Sequence, residues 1–559
     1  MSNELTNLDM EMEGFESEDE ESEDNFSLVM LDSKGKAMDG ESRKLLGDAS
    51  PSSPKPTDKP DEVKLGNYDE ALEKAGFGKF HVILVLVCGW AQVSDALEIL
   101  SVSFILPAAE EDLQLTSYMK GVLTAIIFVG MLIGGYVWGA LADINGRRRT
   151  LVFSLFTNAF FGLMSSIAQV YWLFLLMRFC SGVGVGGAIP VIFSYFGEFQ
   201  PRNRRGMMIS VLSTFWMMGN ILAAFLALVI IPSDFHLSAP GFSFNSWRLF
   251  IAVCTIPALT SMIVMIFMPE SPKFLLENGQ SSKALKVMQT VYSWNTGDDK
   301  SNYQLKTLIP SEKVRQLNVH HGGRRTFKDR MQEVGDNTQT SIHMTLQLFK
   351  KPLTSMTITL LLIIWTLSFG YYGLWMWMPE LFKQAEIGNG SVCAVTPGMD
   401  NTTIPTLPPD DNKIYWDSFY TSASNLPGNL LTIFLIDIVG RKFLMSASLL
   451  LSGVIVFFIW FVSTRTHIII VFCCFGGVSV VAWNVLNVLA VEVYPTHMRS
   501  TALGVQGVIN RLASIVGNVI FGILIQTHCA VNILLVAALL LFGGFLTLTL
   551  PRTKRISLQ

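Results

Sequence analysis

Charge is scarce in this chain. Asp, Glu, Lys and Arg make up only 15% of its 559 residues while half are hydrophobic, against about 25% charge in an average soluble domain, and this shortage excludes an ordinary soluble enzyme of this length. No secretory leader is expected before the first apolar run, because the first 79 residues are long, acidic and poor in apolar residues. The polar segments carry no Walker loop, metal-ligand cluster or catalytic triad, so neither an enzyme nor a metal or other cofactor is expected, and no nucleic-acid partner. Seven cysteines make no disulfide framework, since Cys88, Cys180, Cys254, Cys473 and Cys474 fall inside apolar runs. Only Cys393 and Cys529 are expected on the outer side of the membrane, which leaves a bridge between those two open.

The charge that exists is unevenly placed. Residues 1–79 hold 21 acids and 9 bases, and the remaining 480 hold 24 acids and 32 bases. The acidic tail, densest from Glu16 to Asp24, cannot bury enough apolar surface to fold alone, so 1–79 is expected to be disordered. Within it, Glu41-Ser-Arg-Lys-Leu45-Leu46 resembles the acidic dileucine signal read by clathrin adaptors.

From Phe80 onward, twelve apolar runs of roughly 20 residues recur, each long enough to cross a bilayer core of about 30 Å as a helix. Their spans are 80–106, 119–142, 150–170, 171–197, 207–232, 247–268, 355–382, 414–436, 443–464, 467–491, 502–525 and 529–550. With the N-terminus in the cytosol, 34 of the 41 Lys and Arg fall in the two tails and the cytosolic loops, as the positive-inside rule requires. Only Lys120, Arg248, Lys383, Lys413 and Arg465 lie at the other face, and Arg178 and Arg511 lie within runs. Both termini are therefore expected in the cytosol. The opposite loop, 384–413, carries two glycosylation sequons, at Asn389 and Asn401. The basic loop 269–354, with 13 Lys and Arg, is expected to form short amphipathic helices at the inner surface.

Two motifs repeat with one offset. Asp143-Ile-Asn-Gly146-Arg147 returns as Asp437-Ile-Val-Gly440-Arg441, and Glu198-Phe-Gln-Pro with Arg205 returns as Glu492-Val-Tyr-Pro with Arg499, each displaced by 294 residues. A shared offset indicates a duplicated six-helix half. The expected fold is thus an all-α multi-pass membrane protein of twelve transmembrane helices in two six-helix halves: tail 1–79, first half 80–268, basic loop 269–354, second half 355–550 and C-tail 551–559.

This arrangement resembles the major facilitator superfamily, whose signatures match Gly139-x-x-x-Asp143-x-x-Gly146-Arg-Arg-Arg149 and Arg178-x-x-x-Gly182-x-Gly184-x-Gly186-Gly187, while Pro269-Glu-Ser-Pro-Lys273 is similar to the sugar-porter and organic-ion branches. Trp90-x4-Asp95-Ala-Leu-Glu98, Phe193-Ser-Tyr-Phe196, Phe215-Trp216, Tyr371-Tyr372-Gly-Leu374 and Trp483-Asn484 are similar to the synaptic vesicle glycoprotein 2 family and its related proteins. Three departures stand out: the large luminal domain between helices seven and eight is missing, Asn487 stands where Asp is expected, and Arg511 where Lys is expected. Roles tied to that domain are not implied.

The resemblance implies that Asp143, Arg147, Glu198 and Arg205, with Asp437, Arg441, Glu492 and Arg499, form a cytosolic charge network that gates transport. It also implies that Trp216 and Trp483 face each other across the cavity. From the residues themselves, Asp95 and Glu98 are one helical turn apart near mid-membrane, where a bare carboxylate costs about 2.5–3.5 kcal/mol or more. Two readings stay open: a proton-coupling or cation site, or a structural ion pair with Arg178 or Arg511. The glycines of helix four read as a close-packing surface. Tyr371, Tyr372 and the two tryptophans suit an organic ligand, with Asn484 and Asn487 as hydrogen-bonding groups, while Trp375 and Trp377 read as interfacial belt residues.

The expected function is a secondary transporter of a small organic solute working by alternating access, with a proton as the candidate coupling ion. The rival is a vesicle membrane glycoprotein that uses the same scaffold to bind ligands or regulate secretory-vesicle proteins with little transport. The expected location is a secretory, synaptic-like or endosomal membrane, with the plasma membrane as the alternative.

Overall fold

The computed structural model describes residues 65–308, 339, 342–388, 392–393, 411–495 and 498–550. Its first half comprises α2 (Lys79–Ala108), α3 (Ser117–Asn145), α4 (Arg147–Ile167), α5 (Tyr171–Gly197), α6 (Arg205–Ile230) and a sixth span broken into α7 (Ser246–Cys254) and α8 (Ile256–Phe267). The second comprises a seventh span in two parts, α11 (Thr354–Trp375) and α12 (Met378–Ile387), an eighth in two parts, α13 (Asp411–Ala423) and α14 (Asn425–Val439), and then α15 (Arg441–Phe458), α16 (Arg465–Val493), α17 (Arg499–Thr527) and α18 (Cys529–Thr547). Most helix ends lie within about three residues of the apolar runs, because a run stops where the chain must meet water.

Among the described residues eleven helical stretches, the sixth span taken as one, are long and apolar enough to span a membrane; the eighth span is not among them because it breaks at Ser424, where neither α13 nor α14 reaches bilayer length alone. Pro427 and Gly428 directly follow the break, and residues of this kind weaken the helical ladder. Proline likewise stands at the start of α8 and of α12, where its missing N–H costs nothing.

Alternating span directions give the bundle two ends, named here for Asp143 and Glu380. At the Asp143 end, α3 turns into α4 through Gly146 (φ 100°) and α14 turns into α15 through Gly440 (φ 90°). Only glycine enters that region freely, so the duplicated turn is kept by the same residue 294 positions apart. Within the first half, α5 packs along α3 and α4. A Cβ at Gly134 would lie 2.0 Å from the Val183 carbonyl and one at Gly184 2.6 Å from the Asn158 amide. The fourth-span glycines are thus a packing surface inside a bilayer helix, where small residues let backbones approach.

At the Asp143 end, a cap joins the segment before α2 to the loop that follows the sixth span. β1 (Leu65–Gly66) pairs parallel with β4 (Thr307–Leu308), and α1 (Tyr68–Ala75) packs on α10 (Ser281–Thr296), which follows the short α9 (Pro272–Glu277). Asn295 Nδ2 donates to the Ala75 and Gly76 carbonyls at 3.0 and 2.9 Å while its Oδ1 accepts from Phe80 N at 3.1 Å. The expected disorder through residue 79 is corrected here: residues 65–79 are folded, because Ala71, Leu72 and Ala75 supply an apolar stripe that α10 buries. The dileucine residues Glu41, Leu45 and Leu46, the sequon residues Asn389 and Asn401, the Asp437 side chain and the C-tail lie outside the described residues. At the other end, a hairpin of β2 (His236–Ala239) and β3 (Phe242–Asn245) links α6 to α7, and a disulfide joins Cys393 to Cys529.

Candidate functional site

Every residue of α2 from 91 to 106 is buried, so the two carboxylates that lie one turn apart in this helix have no route to lipid or bulk water. They have different surroundings. Glu98 Oε1 accepts from Arg178 Nη1 at 2.7 Å and from Ser181 Oγ at 2.6 Å, and the same guanidinium donates to Ser101 Oγ at 3.2 Å. Arg178 is wholly buried and its guanidinium also lies 5.3 Å from the Phe174 ring centroid. This is a buried ion pair between α2 and α5, inside one half, with Arg178 Nε and Nη2 left without partners among the described residues.

Asp95 is the other case. It is 0% exposed, and neither carboxylate oxygen has a hydrogen-bond partner among the described residues. The charges acting on it are Glu98, which repels, and Arg511 of α17 in the opposite half, which attracts. Arg511 lies against Tyr372 and has its guanidinium carbon 6.0 Å from the Phe128 ring centroid. The two acids therefore differ: Glu98 is ion-paired with Arg178, whereas Asp95 has no hydrogen bond among the described residues and feels the attraction of Arg511 from the other half.

The aromatic wall belongs to the second half. Trp483 meets Tyr371 and Tyr372 edge-on, each at 5.9 Å between centroids, and Tyr372 reaches across to Phe128 of α3 at 5.0 Å. Trp483 Nε1 is buried without a partner among the described residues, a donor in the condition a bound ligand satisfies. Asn487, one turn along α16 on the same face, is exposed, whereas Asn484 is engaged, donating to Asn429 Oδ1 at 2.7 Å. Trp216, like Trp483, is half-buried against the central cluster, and it stacks with no other ring among the described residues. The belt reading of Trp375 and Trp377 is corrected: both are buried, Trp375 stacked on Tyr371 at 5.5 Å and Trp377 against Phe521 at 5.6 Å, because the seventh span breaks inside the bundle and turns them inward.

Further buried polar side chains carry an atom with no partner among the described residues: Gln92 of α2, Asn220 of α6, Ser368 of α11 and Asn425 at the start of α14. Sequence reasoning missed them because a lone amide in an apolar run carries no signature. Gly219 is the one available pointer, since its bare backbone meets Val93 and Ala96 of α2 and thereby brings Asn220 beside them.

At the Glu380 end the halves are joined by charge. Lys120 of α3, 1% exposed, lies 2.8 Å from Glu380 Oε1 of α12 and 3.0 Å from Glu110 Oε2, and Lys383 lies 2.6 Å from the same Glu110. Lys383 also donates to the Pro107 carbonyl, and Tyr415 donates to the Phe104 carbonyl at 3.2 Å. Burial alone would raise the Glu110 pKa, but Lys120 and Lys383 outweigh it and hold the carboxylate below its usual range. Sequence counting had used these lysines only for topology; their partners lie 260 or more residues away or across a turn and left no local pattern.

At the Asp143 end the ion pairs seen among the described residues stay within each half. Arg147 lies 2.8 Å from Asp143 and 3.4 Å from Glu198, and the duplicated pair, Arg441 and Glu492, lies at 3.0 Å. Glu198 also accepts from Ser271 Oγ at 2.5 Å and offers its carbonyl to Tyr68 OH, while Glu270 Oε1 accepts from the Arg148 amide at 2.9 Å. The Pro269-Glu-Ser-Pro segment thus ties the sixth span to the α3–α4 turn. Arg205 donates instead to the Gln200 carbonyl at 3.3 Å, and Arg499 opens α17 with its Nε buried and unpartnered.

The family model described as Sugar (and other) transporter matches residues 91–559. Curated relatives include synaptic vesicle glycoprotein 2C of Mus musculus, 31% identical over 88% of this chain and 82% of its own, and synaptic vesicle glycoprotein 2B of Homo sapiens, 31% identical over 88% and 87%. Among solved structures, a partially occluded inward-open conformation of the xylose transporter XylE from E. coli superposes with a TM-score of 0.63 at 16% identity, covering 86% of this chain and 99% of that one. The fold is therefore the twelve-helix major facilitator fold.

Proposed function

The chain belongs to the Sugar (and other) transporter family of major facilitator proteins, in the branch of the synaptic vesicle glycoprotein 2 proteins, and from that membership we propose that it moves a small organic solute across a vesicle or endosomal membrane by alternating access. The observation that carries this reading is the asymmetry between Asp95 and Glu98. A scaffold needs one buried pair, and Glu98 with Arg178 provides it; a second buried carboxylate left without a hydrogen bond, opposite a cation on the other half, is costly unless it is used.

In this reading Asp95 takes up and releases a proton, and Arg511 is its alternate partner when the halves rock. Tyr371, Tyr372 and Trp483 hold an organic solute by ring contact, and Asn487 with Trp483 Nε1 supplies hydrogen bonds. The Lys120–Glu380 and Lys383–Glu110 pairs close one end, and the Arg147 and Arg441 networks act on the other. Both termini face the cytosol, the Asp143 end opens there, and the dileucine segment recruits a clathrin adaptor.

A second reading has one observation in its favour: the branch relatives carry the printed name of synaptic vesicle glycoproteins, so a binding or regulatory protein with little transport is the rival. Untargeted mass spectrometry of solutes accumulated by proteoliposomes holding the purified protein separates them. The transporter reading expects one solute class enriched over empty vesicles and lost on Trp483→Ala; no enrichment of any solute, with ligand binding retained, favours the rival.

A further inference from the structure

Immediately before the seventh span, residues 342–348 form a short helix at the Asp143 end of the bundle, followed by Phe349, Lys350 and Lys351. Ile342, Leu346 and Phe349 are spaced i, i+4, i+7, which at 100° per residue confines them to an arc of about 60°. All three are exposed, at 58%, 59% and 41%. The helix cannot roll to hide them. Leu348, on a different face, is fully buried in the central core cluster, and Met344 Sδ accepts from Thr501 Oγ1 at 3.8 Å at the start of α17. An apolar stripe is thus held outward, and Ile358 and Leu362 of the following α11 are likewise exposed.

We infer that this stripe lies in the membrane surface and that Lys350 and Lys351 bind anionic phospholipid headgroups there. The stripe directly precedes the span whose outward side carries Ile358 and Leu362, with only four residues between Phe349 and the first residue of α11, so it sits at the depth where headgroups meet acyl chains. Both lysines are exposed and flank the apolar face, the arrangement by which an in-plane helix combines burial with attraction to an anionic leaflet. The helix touches the start of α17 and leads into α11, the two helices that carry Arg511 and Tyr372. Anionic lipid therefore acts on the elements that meet across the interface between halves.

The full-length protein, carrying a photoreactive benzoyl-phenylalanine at Leu346, is reconstituted in nanodiscs of phosphatidylcholine containing about one-third phosphatidylserine. After illumination, adducts are identified by mass spectrometry. A photoreactive residue at Leu362 reports ordinary lipid contact and correct folding, and one at Gln347 reports the side away from the stripe. The expected result is phospholipid adducts at Leu346 and few at Gln347. The ratio of phosphatidylserine to phosphatidylcholine adducts at Leu346 is about fivefold their ratio in the disc, and this preference is lost in Lys350→Glu with Lys351→Glu while the Leu362 adducts persist. Adducts at Leu346 to protein, including the chain's own acidic segment Glu16–Asp24, or the absence of lipid adducts there with normal ones at Leu362, would overturn the inference. So would lipid adducts at Leu346 with no preference for phosphatidylserine, which would remove the role of the lysines.

Discussion

Arg178 Nη1 lies 2.7 Å from Glu98 Oε1, deep in the first half, and this one pair determines how the neighbouring carboxylate is read. Once Glu98 is neutralised, Asp95 one turn earlier has no cation of its own in that half and faces Arg511 across the interface. The two acids predict opposite mutant behaviour. Glu98→Gln strands a buried guanidinium and should cost about 3–5 kcal/mol, lowering the unfolding temperature in nanodiscs, whereas Asp95→Asn removes an unpaired charge and should not lower it. Equal losses in both variants would contradict the division of roles.

Removing Lys120 should loosen the Glu380 end. Lys120→Met leaves Glu380, 5% exposed, without its partner, and breaking a buried pair costs several kcal/mol in the closed state. Asn518 of α17 is fully buried, and its carbonyl faces Gly121 at this junction. In an Asn518→Cys background, labelling by a membrane-impermeant maleimide from the Glu380 side should rise about tenfold or more on adding Lys120→Met. An unchanged rate would mean the pair does not close that end.

The same end has a defined pH response. Glu110 has its pKa lowered by Lys120 and Lys383, so its contribution is fully present above the ordinary carboxylate range, near 4.5, and is lost as pH falls through the lowered value. Mild acidity of pH 5–6 should leave this contribution in place. Thermal stability measured from pH 7 to pH 3 should show a loss in the acid limb that is smaller in Glu110→Gln, and a Glu110-dependent loss already at pH 6 would contradict the assignment.

Glycines of one helix should behave oppositely according to what faces them. A Cβ at Gly134 would sit 2.0 Å from the Val183 carbonyl, and one at Gly139, five residues on, meets nothing within 4 Å. Gly134→Ala should therefore separate α3 from α5 and destabilise the protein. Gly139→Ala should be neutral or stabilising by up to about 1 kcal/mol. The comparison is read from unfolding temperatures of the two variants.

Much of this architecture was legible in the sequence because its causes are local or periodic. Apolar runs of bilayer length gave the spans, and the offset of 294 residues anticipated that the Arg147–Glu198 pair would return as Arg441–Glu492. Two details failed for a common reason. The eighth span breaks at Ser424 and the seventh at Trp375–Met378, and hydropathy averages over such breaks, so the inward turn of Trp375 and Trp377 was hidden. The choice of Glu98 over Asp95 by Arg178 depended on how α5 packs against α2, with Ser181 and Ser101 completing the set. The Lys120–Glu380 junction joins helices from different halves and could be seen only once those halves were assembled.

The central claim, that Asp95 is the coupling group of a working transporter, is tested most directly by solute uptake into proteoliposomes under an imposed pH gradient. Wild type and Asp95→Asn are compared at equal protein and verified folding. The account predicts that wild type accumulates solute against its gradient when the pH difference is applied. Asp95→Asn should lose that accumulation while still exchanging solute at equilibrium. Gradient-driven accumulation of the same size in both proteins would contradict it.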